Sequence, residues 1–366
     1  MKKKILTMAL AMCLIVPSSL LLTACDHEHE FGEWQTKTPA TCTQAEVEHR
    51  TCECGEEETR TGDAALGHSY SSEWSYNATH HWKDATCGHQ LKTQEALHVD
   101  EDNNNVCDVC ANGAVASIGT NYYSGIQEAI ESITGSEQTV IKLYKSATGA
   151  GVVVSGQNIV LDLNGFTYTV DRPLVGSTGT ETLGFQLLKG STVTIKNGTL
   201  NHTDGAKMLI QNYCDLTLED VTIDARNPLG DIPCQYALSN NCGDVVIKGN
   251  TNIYADAGQV AFDLWYGMAA TYDEGVNVVF DETFTGTVEG KFEYGAAGRA
   301  SDGWESKAKA SIKNGNFNFT GLSLYNTTNP NFSITGGVFN VDISAYCDEG
   351  YTAVESDGKY VVVAEQ

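Results

Sequence analysis

From about residue 114 onward the chain alternates apolar and polar positions in short, repeated phrases. Ile159-Val-Leu161-Asp-Leu163-Asn164-Gly165, Val193-Thr-Ile195-Lys-Asn197-Gly198 and Leu216-Thr-Leu218-Glu-Asp220 each run at period two into a turn. The phrase returns at Val245-Val-Ile247-Lys-Gly249-Asn250, Ala310-Ser-Ile312-Lys-Asn314-Gly315 and Phe332-Ser-Ile334-Thr-Gly336-Gly337. A second short strand usually follows, as in Val221-Thr-Ile223 and Phe317-Asn-Phe319. Equivalent apolar positions lie 23 residues apart from Ile195 to Leu218, 29 from Leu218 to Ile247 and 22 from Ile312 to Ile334. A period in the twenties predicts a coiled parallel sheet with one coil per repeat.

Asn-Gly between alternating strands is also a hairpin signal, so an antiparallel sandwich competes. One Asn-Gly per unit and recurrence of Asn at the same place favour stacked coils. There the amides hydrogen-bond up the stack and glycine takes a positive φ at the corner. Ile126, Ala129, Ile130 and Ile133 fall at helical spacing and predict an amphipathic helix capping the first coil.

Residues 26–113 read differently, because six of the chain's 12 cysteines (Cys42, Cys52, Cys54, Cys87, Cys107, Cys110) fall there and four in the rest of the mature chain. This break places a boundary near Asn112-Gly113. Within it two copies of one pattern, about 27–68 and 68–113, align His29, Phe31, Trp34 and Ala40-Thr41-Cys42 with His68, Tyr70, Trp74 and Ala85-Thr86-Cys87. Units this small bury little apolar surface and need metals or disulfides. The pairs Phe31/Trp34 and Tyr70/Trp74 are the expected miniature cores.

In the second copy His81, Cys87, His98, Cys107 and Cys110 combine imidazoles with a Cys-x-x-Cys knuckle, a ligand set for structural zinc. Disulfide bonding in an oxidising compartment accounts for the same cysteines, and both readings stand. Asp100, Asp102 and Asn104 offer oxygens at alternate positions, like the first half of a calcium loop, without its distal glutamate.

The first copy, through Arg50-Thr51-Cys52-Glu53-Cys54-Gly55 and Leu66-Gly67-His68, resembles a Cys-rich repeat found in tandem in surface-anchored proteins of Gram-positive bacteria. That resemblance implies a modular surface segment. At the N-terminus, Lys2, Lys3 and Lys4 precede an apolar run that ends in Leu22-Thr23-Ala24-Cys25. The leader resembles that of bacterial lipoproteins, which implies removal of residues 1–24 and diacylation of Cys25, with the remainder outside the cytoplasm and tethered to the membrane. An uncleaved membrane helix is the competing reading.

Roughly residues 115 to 363 of the domain 114–366 resemble right-handed parallel β-helix proteins of the pectate-lyase-like fold, in the version common on bacterial surfaces. The opening Tyr122-Tyr123-Ser-Gly-Ile126 and the ending Asp342-Ile-Ser-Ala-Tyr346-Cys347 through Asp357-Gly358-Lys-Tyr360 carry that likeness. Some such proteins degrade acidic glycans. The sequence offers polysaccharide lyase or glycoside hydrolase chemistry only Asp220, Asp224 and Arg226, and outward charges on strands are ordinarily a wet face. Trp265 and Tyr266, with Tyr272, Tyr294 and Trp304, form a candidate aromatic platform for glycan or protein partners.

A formal charge of −25 disfavours nucleic acid and attracts divalent cations. The expectation is a membrane-anchored, surface-exposed, non-catalytic binding or structural module.

Overall fold

The computed structural model describes residues 28–365 apart from 78, 204, 227–232, 266–274, 296–306 and 325–330. The protein is mainly β and divides into two compact units. One holds the described residues up to Ser75 with Trp82–Glu95; the other holds Tyr76–His81 and the described residues from Ala96 onward.

In the first unit Gln35–Thr38, Val47–Thr51 and Glu57–Thr61 form an antiparallel three-stranded sheet. A second sheet, Ser75–Tyr76, His80–Asp84 and Lys92–Leu97, is crossed by the division between units. The expected aromatic cores are absent, and Cys52 is the one buried apolar residue of the first unit among those described. The rings instead carry cations: Arg50 lies 4.8 Å from the centroid of Phe31 and 4.7 Å from that of Trp34, with Arg60 at 4.3 Å over Trp34. In the second copy Lys83 lies over Trp74 and Lys92 over Trp82. Such exposed contacts stabilise by about 0.5–1 kcal/mol each, far less than a packed core.

The second unit is dominated by a 23-stranded, mostly parallel sheet. Its strands fall into three ladders visited in turn. The first ladder steps from Thr139–Leu143 to Asn158–Asp162, then to the starts of Thr192–His202 and Asp215–Asp224. It continues through Val245–Lys248, Val276–Phe280, Ala308–Ile312 and Phe332–Ile334.

The second ladder runs from Ala147–Gly149 through Thr167–Val170, the ends of those two long strands and Asn252–Tyr254. It then takes the starts of Thr287–Tyr294 and Asn316–Leu324 and finishes at Val338–Phe339. The third passes through Val152–Val154, Leu183–Leu187, Met208–Asn212, Tyr236–Asn240, Val260–Leu264 and the ends of the two longer strands. Parallel pairing overturns the antiparallel alternative, since each turn carries the chain into the next ladder and not back along its neighbour.

The three spacings counted in the sequence are register pairs: Ile195 faces Leu218, Leu218 faces Ile247 and Ile312 faces Ile334. Inward positions at this register are closed to water, with Leu218, Ile247, Val278, Phe280 and Phe292 at 0% exposure. Aromatic rings extend the stack, Phe262 on Phe292 at 5.4 Å and Phe317 on Phe339 at 4.8 Å between centroids.

The corners differ in detail from expectation. Asn197 itself takes the left-handed backbone (φ 58°), as do Asn164 and Asp220. Gly198 is needed for space: a Cβ there would stand 2.4 Å from the carbonyl oxygen of Phe166, which leads into the neighbouring strand Thr167–Val170 of the second ladder. Corner amides bond to the turns beside neighbouring strands through varied acceptors, Asn197 to Asp162 and Asn314 to the Glu282 carbonyl. The amide-to-amide step occurs elsewhere, in the third ladder, where buried Asn212 Nδ2 donates to Asn240 Oδ1 at 2.8 Å.

At one end lies the helix Ile126–Glu131, with Ile126, Ala129 and Ile130 buried as their spacing predicts. Gln127 Oε1 accepts the backbone N–H of Val153, satisfying a donor on the first strand of the third ladder. The opposite end closes with the hairpin Tyr351–Ser356 and Lys359–Ala364, turned by Asp357-Gly358 with both φ values positive and paired antiparallel to Val338–Phe339.

Candidate metal centres

Three groups of His and Cys converge, each with its ligand atoms within 4.8 Å of one another: Cys42, His68, Cys87 and His89; His81, His98, Cys107 and Cys110; and His29, Cys52 and Cys54. The first and third lie wholly in the first unit, the second wholly in the other. None of the ten described cysteines is joined in a disulfide.

Sequence reasoning places Cys87 with His81, His98, Cys107 and Cys110. The structure separates it from them. Cys87 lies in the turn between two strands of the second copy, where its Sγ is 3.1 Å from Nδ1 of His68 and 3.4 Å from that of His89. Cys42 completes this group from the first copy, its Sγ 3.2 Å from His89 Nδ1. Cys42 and His68 are not among the expected ligands, although both stand in the quoted repeat motifs, and His89 joins them two residues after Cys87. The shared Ala-Thr-Cys motif makes Cys42 and Cys87 equivalent in sequence. In space the equivalent of Cys87 is Cys54: each precedes a glycine with positive φ, and each faces the histidine that opens its copy.

The remaining four expected ligands do meet. His81 Nδ1 lies 3.7 Å from Cys107 Sγ, and His98 Nδ1 lies 3.5 Å from Cys110 Sγ. His98 Nε2 donates to the Asn77 carbonyl at 2.9 Å, which leaves the Nδ1 lone pair aimed at the thiols. A tetrahedral ion with bonds of roughly 2.3 Å to sulfur and 2.0 Å to nitrogen has S···N edges of about 3.5 Å. The observed separations bracket that edge, so both quartets could hold a metal ion.

Electrostatics point the same way. The His68 contact, with His89 backbone and side chain, brings the Cys87 thiol down to about 6, whereas burial and the neighbouring Cys87 push Cys42 up. In the other quartet burial works to raise Cys107, but backbone N–H groups and His98 outweigh it and bring the thiol down to about 6. Burial, then Cys107, raises Cys110. Two thiols side by side cannot both ionise cheaply, and a dication at their centre removes the conflict.

The weaker sequence candidates have local partners. Asp100 carboxylate oxygens accept the backbone N–H groups of Asn104 and Asn105, Asp102 accepts from Asn104, and Asn104 Oδ1 accepts from Val106, so the loop's oxygens cap its own backbone. Asp220 is a corner residue whose Oδ1 accepts the Asn250 N–H at 2.7 Å. Asp224 binds Arg226 through both carboxylate oxygens, and the guanidinium lies 4.2 Å from the Tyr254 centroid.

Cys25, Tyr266, Tyr272 and Trp304 lie outside the described residues. Trp265 is half-buried. Tyr294 is no surface aromatic: it is fully buried and its hydroxyl donates to the Ala308 carbonyl. Cys214 and Cys234 are buried thiols, pushed up to about 12 by desolvation.

One carboxyl escaped the sequence reading. Asp263 is 6% exposed in the third ladder, accepts a hydrogen bond from Ser239 and faces Glu293 one step along the register. Burial raises it to about 7, and Glu293 adds to the shift. An acid in the middle of a strand buried along its whole length was the available signal.

Among the described residues no helix is long and apolar enough to cross a membrane. No protein family, characterised protein or solved structure matches the chain.

Proposed function

We infer that this is a lipid-anchored bacterial surface protein whose three ladders wind as a right-handed β-helix, a rigid non-catalytic module that presents a binding surface. Its head is cross-linked by zinc. The anchor reading is supported by the leader ending in Ala24-Cys25. The observation that carries the zinc reading is a first unit with one buried apolar residue among those described and a Cys/His quartet with tetrahedral spacing. Zinc suits mixed imidazole and thiolate ligands better than calcium or magnesium, which prefer oxygen. The presentational reading is supported by the local partners of Asp220, Asp224 and Arg226.

A second reading, cleavage of an acidic glycan, has Asp263 beside Glu293 in its favour, since a carboxyl raised by burial next to a second carboxyl is an acid–base arrangement. The burial of Asp263 weighs against it. Polysaccharide arrays with the full chain decide: retention without product release is the expected result. Release of oligosaccharides that ceases in Asp263→Asn would replace presentation with catalysis. Loss of membrane fractionation in Cys25→Ala checks the anchor, and unchanged fractionation would refute it.

A further inference from the structure

We propose that the metal held by Cys42, His68, Cys87 and His89 is a latch that fixes the first copy of the head repeat to the second. This rests on the zinc reading above and adds to it a specific division of ligands between copies.

Each copy owns a His/Cys pair. In the first, His29 Nδ1 lies 3.2 Å from Cys54 Sγ; in the second, His68 Nδ1 lies 3.1 Å from Cys87 Sγ. The surrounding backbone repeats too. Phe31 bridges Cys52 as Tyr70 bridges Ala85, and the following N–H groups, Gly32 and Ser71, donate to Thr51 and Asp84.

To its own pair the second copy adds His89, and the fourth ligand is borrowed. Cys42 reaches the group from the loop after the first strand of the first copy, 47 residues before His89. The other quartet draws all four ligands from the second copy, His81 from the strand His80–Asp84 and His98, Cys107 and Cys110 from the segment after Lys92–Leu97.

The borrowed ligand matters because the two copies build separate sheets among the described residues. No strand of the first three-stranded sheet pairs with a strand of the second. Cys52, the unit's one described buried apolar residue, belongs to the first copy. A four-coordinate ion spanning Cys42 and the Cys87 turn supplies the missing cross-link, and removing Cys42 cuts it while leaving three ligands on the second copy.

The test uses the full chain with distance labels introduced as unnatural amino acids at Thr59 and Glu95, read by pulsed electron resonance with and without zinc. Zinc-loaded protein is expected to give a narrow distance distribution that widens at least twofold on chelation. Cys42→Ser should be wide even with zinc and bind at that site at least tenfold more weakly, and Cys42→His, which restores a ligand, should narrow it again. Cys107→Ser, which alters only the other quartet, should leave it narrow. A distribution indifferent to zinc in a chain that binds the metal would overturn the latch and leave the zinc reading standing. A chain that binds no metal would overturn both. Cobalt absorption with intensity lowered in Cys42→Ser identifies its thiolate as a ligand even if that variant folds poorly, and unchanged absorption would refute its role.

Discussion

Asp263 shows how one misplaced charge becomes a property of the whole chain. Its carboxyl sits among Ser239, Glu293 and apolar neighbours, and desolvation raises it from 3.8 to about 7. Below about pH 4 both folded and unfolded chains carry the proton, and the stabilising difference is complete. Between roughly pH 4 and 7 the unfolded chain releases a proton that the folded chain keeps, so stability falls as pH rises, by on the order of 4 kcal/mol. Asp263→Asn is expected to remove most of that slope; urea midpoints for both proteins from pH 4 to 8 check it, and parallel curves would refute it. The cysteines show the limit of reading residues one at a time. Ala-Thr-Cys in both copies invited equivalence, yet backbone position makes Cys54 the counterpart of Cys87 and makes Cys42 its partner. Ligand chemistry was legible in the sequence, but the sorting of ligands into groups was not, because it depends on turns that bring distant segments together.

Strands and ladders were more legible than corners. Period-two alternation fixes which side chains face inward, and equal spacing of inward residues fixes register, so Ile195, Leu218 and Ile247 could be matched before any coordinates. Val276–Phe280 lacks the Asn-Gly ending and escaped the repeat, although it occupies the same ladder between Ile247 and Ile312. Corner geometry was misjudged because Asn and Gly can exchange duties: one tolerates the left-handed backbone, the other makes room. At this scale the buried amide pair is testable. Asn212→Ala leaves Asn240 Oδ1 without its donor and is expected to cost about 1–3 kcal/mol in chemical denaturation. Phe317→Ala, which removes a ring stacked on Phe339 and edge-on to Phe280, should cost about 3–5 kcal/mol. Values below 1 kcal/mol for both would mean that neither stack bears on stability.

The composition break along the chain marks two ways of holding a protein together. The second unit has an apolar interior running from Ala116 to Val362, whereas the first unit has rings under cations and converging Cys/His ligands. Chelation is therefore expected to expose amides of residues 28–75 and 82–95 to hydrogen exchange while the ladders between 158 and 324 keep their protection. Uniform loss in both would refute this division, as would no loss in either. Acid should act like the chelator, because proton uptake by the Cys87 and Cys107 thiols, both near 6 without metal, competes with binding as pH falls.

The order in which the ladders are visited has one more result. Residues 192–214 contribute one strand to each ladder, and Asp215–Asp224 repeats the pairing surface of Thr192–His202. A single excision of that segment would remove one rung from all three ladders together and bring Ile195's neighbours, Leu161 and Leu218, into direct register. Length in this protein is thus a quantity that heredity can alter in whole steps of about 4.8 Å without redesigning the interior.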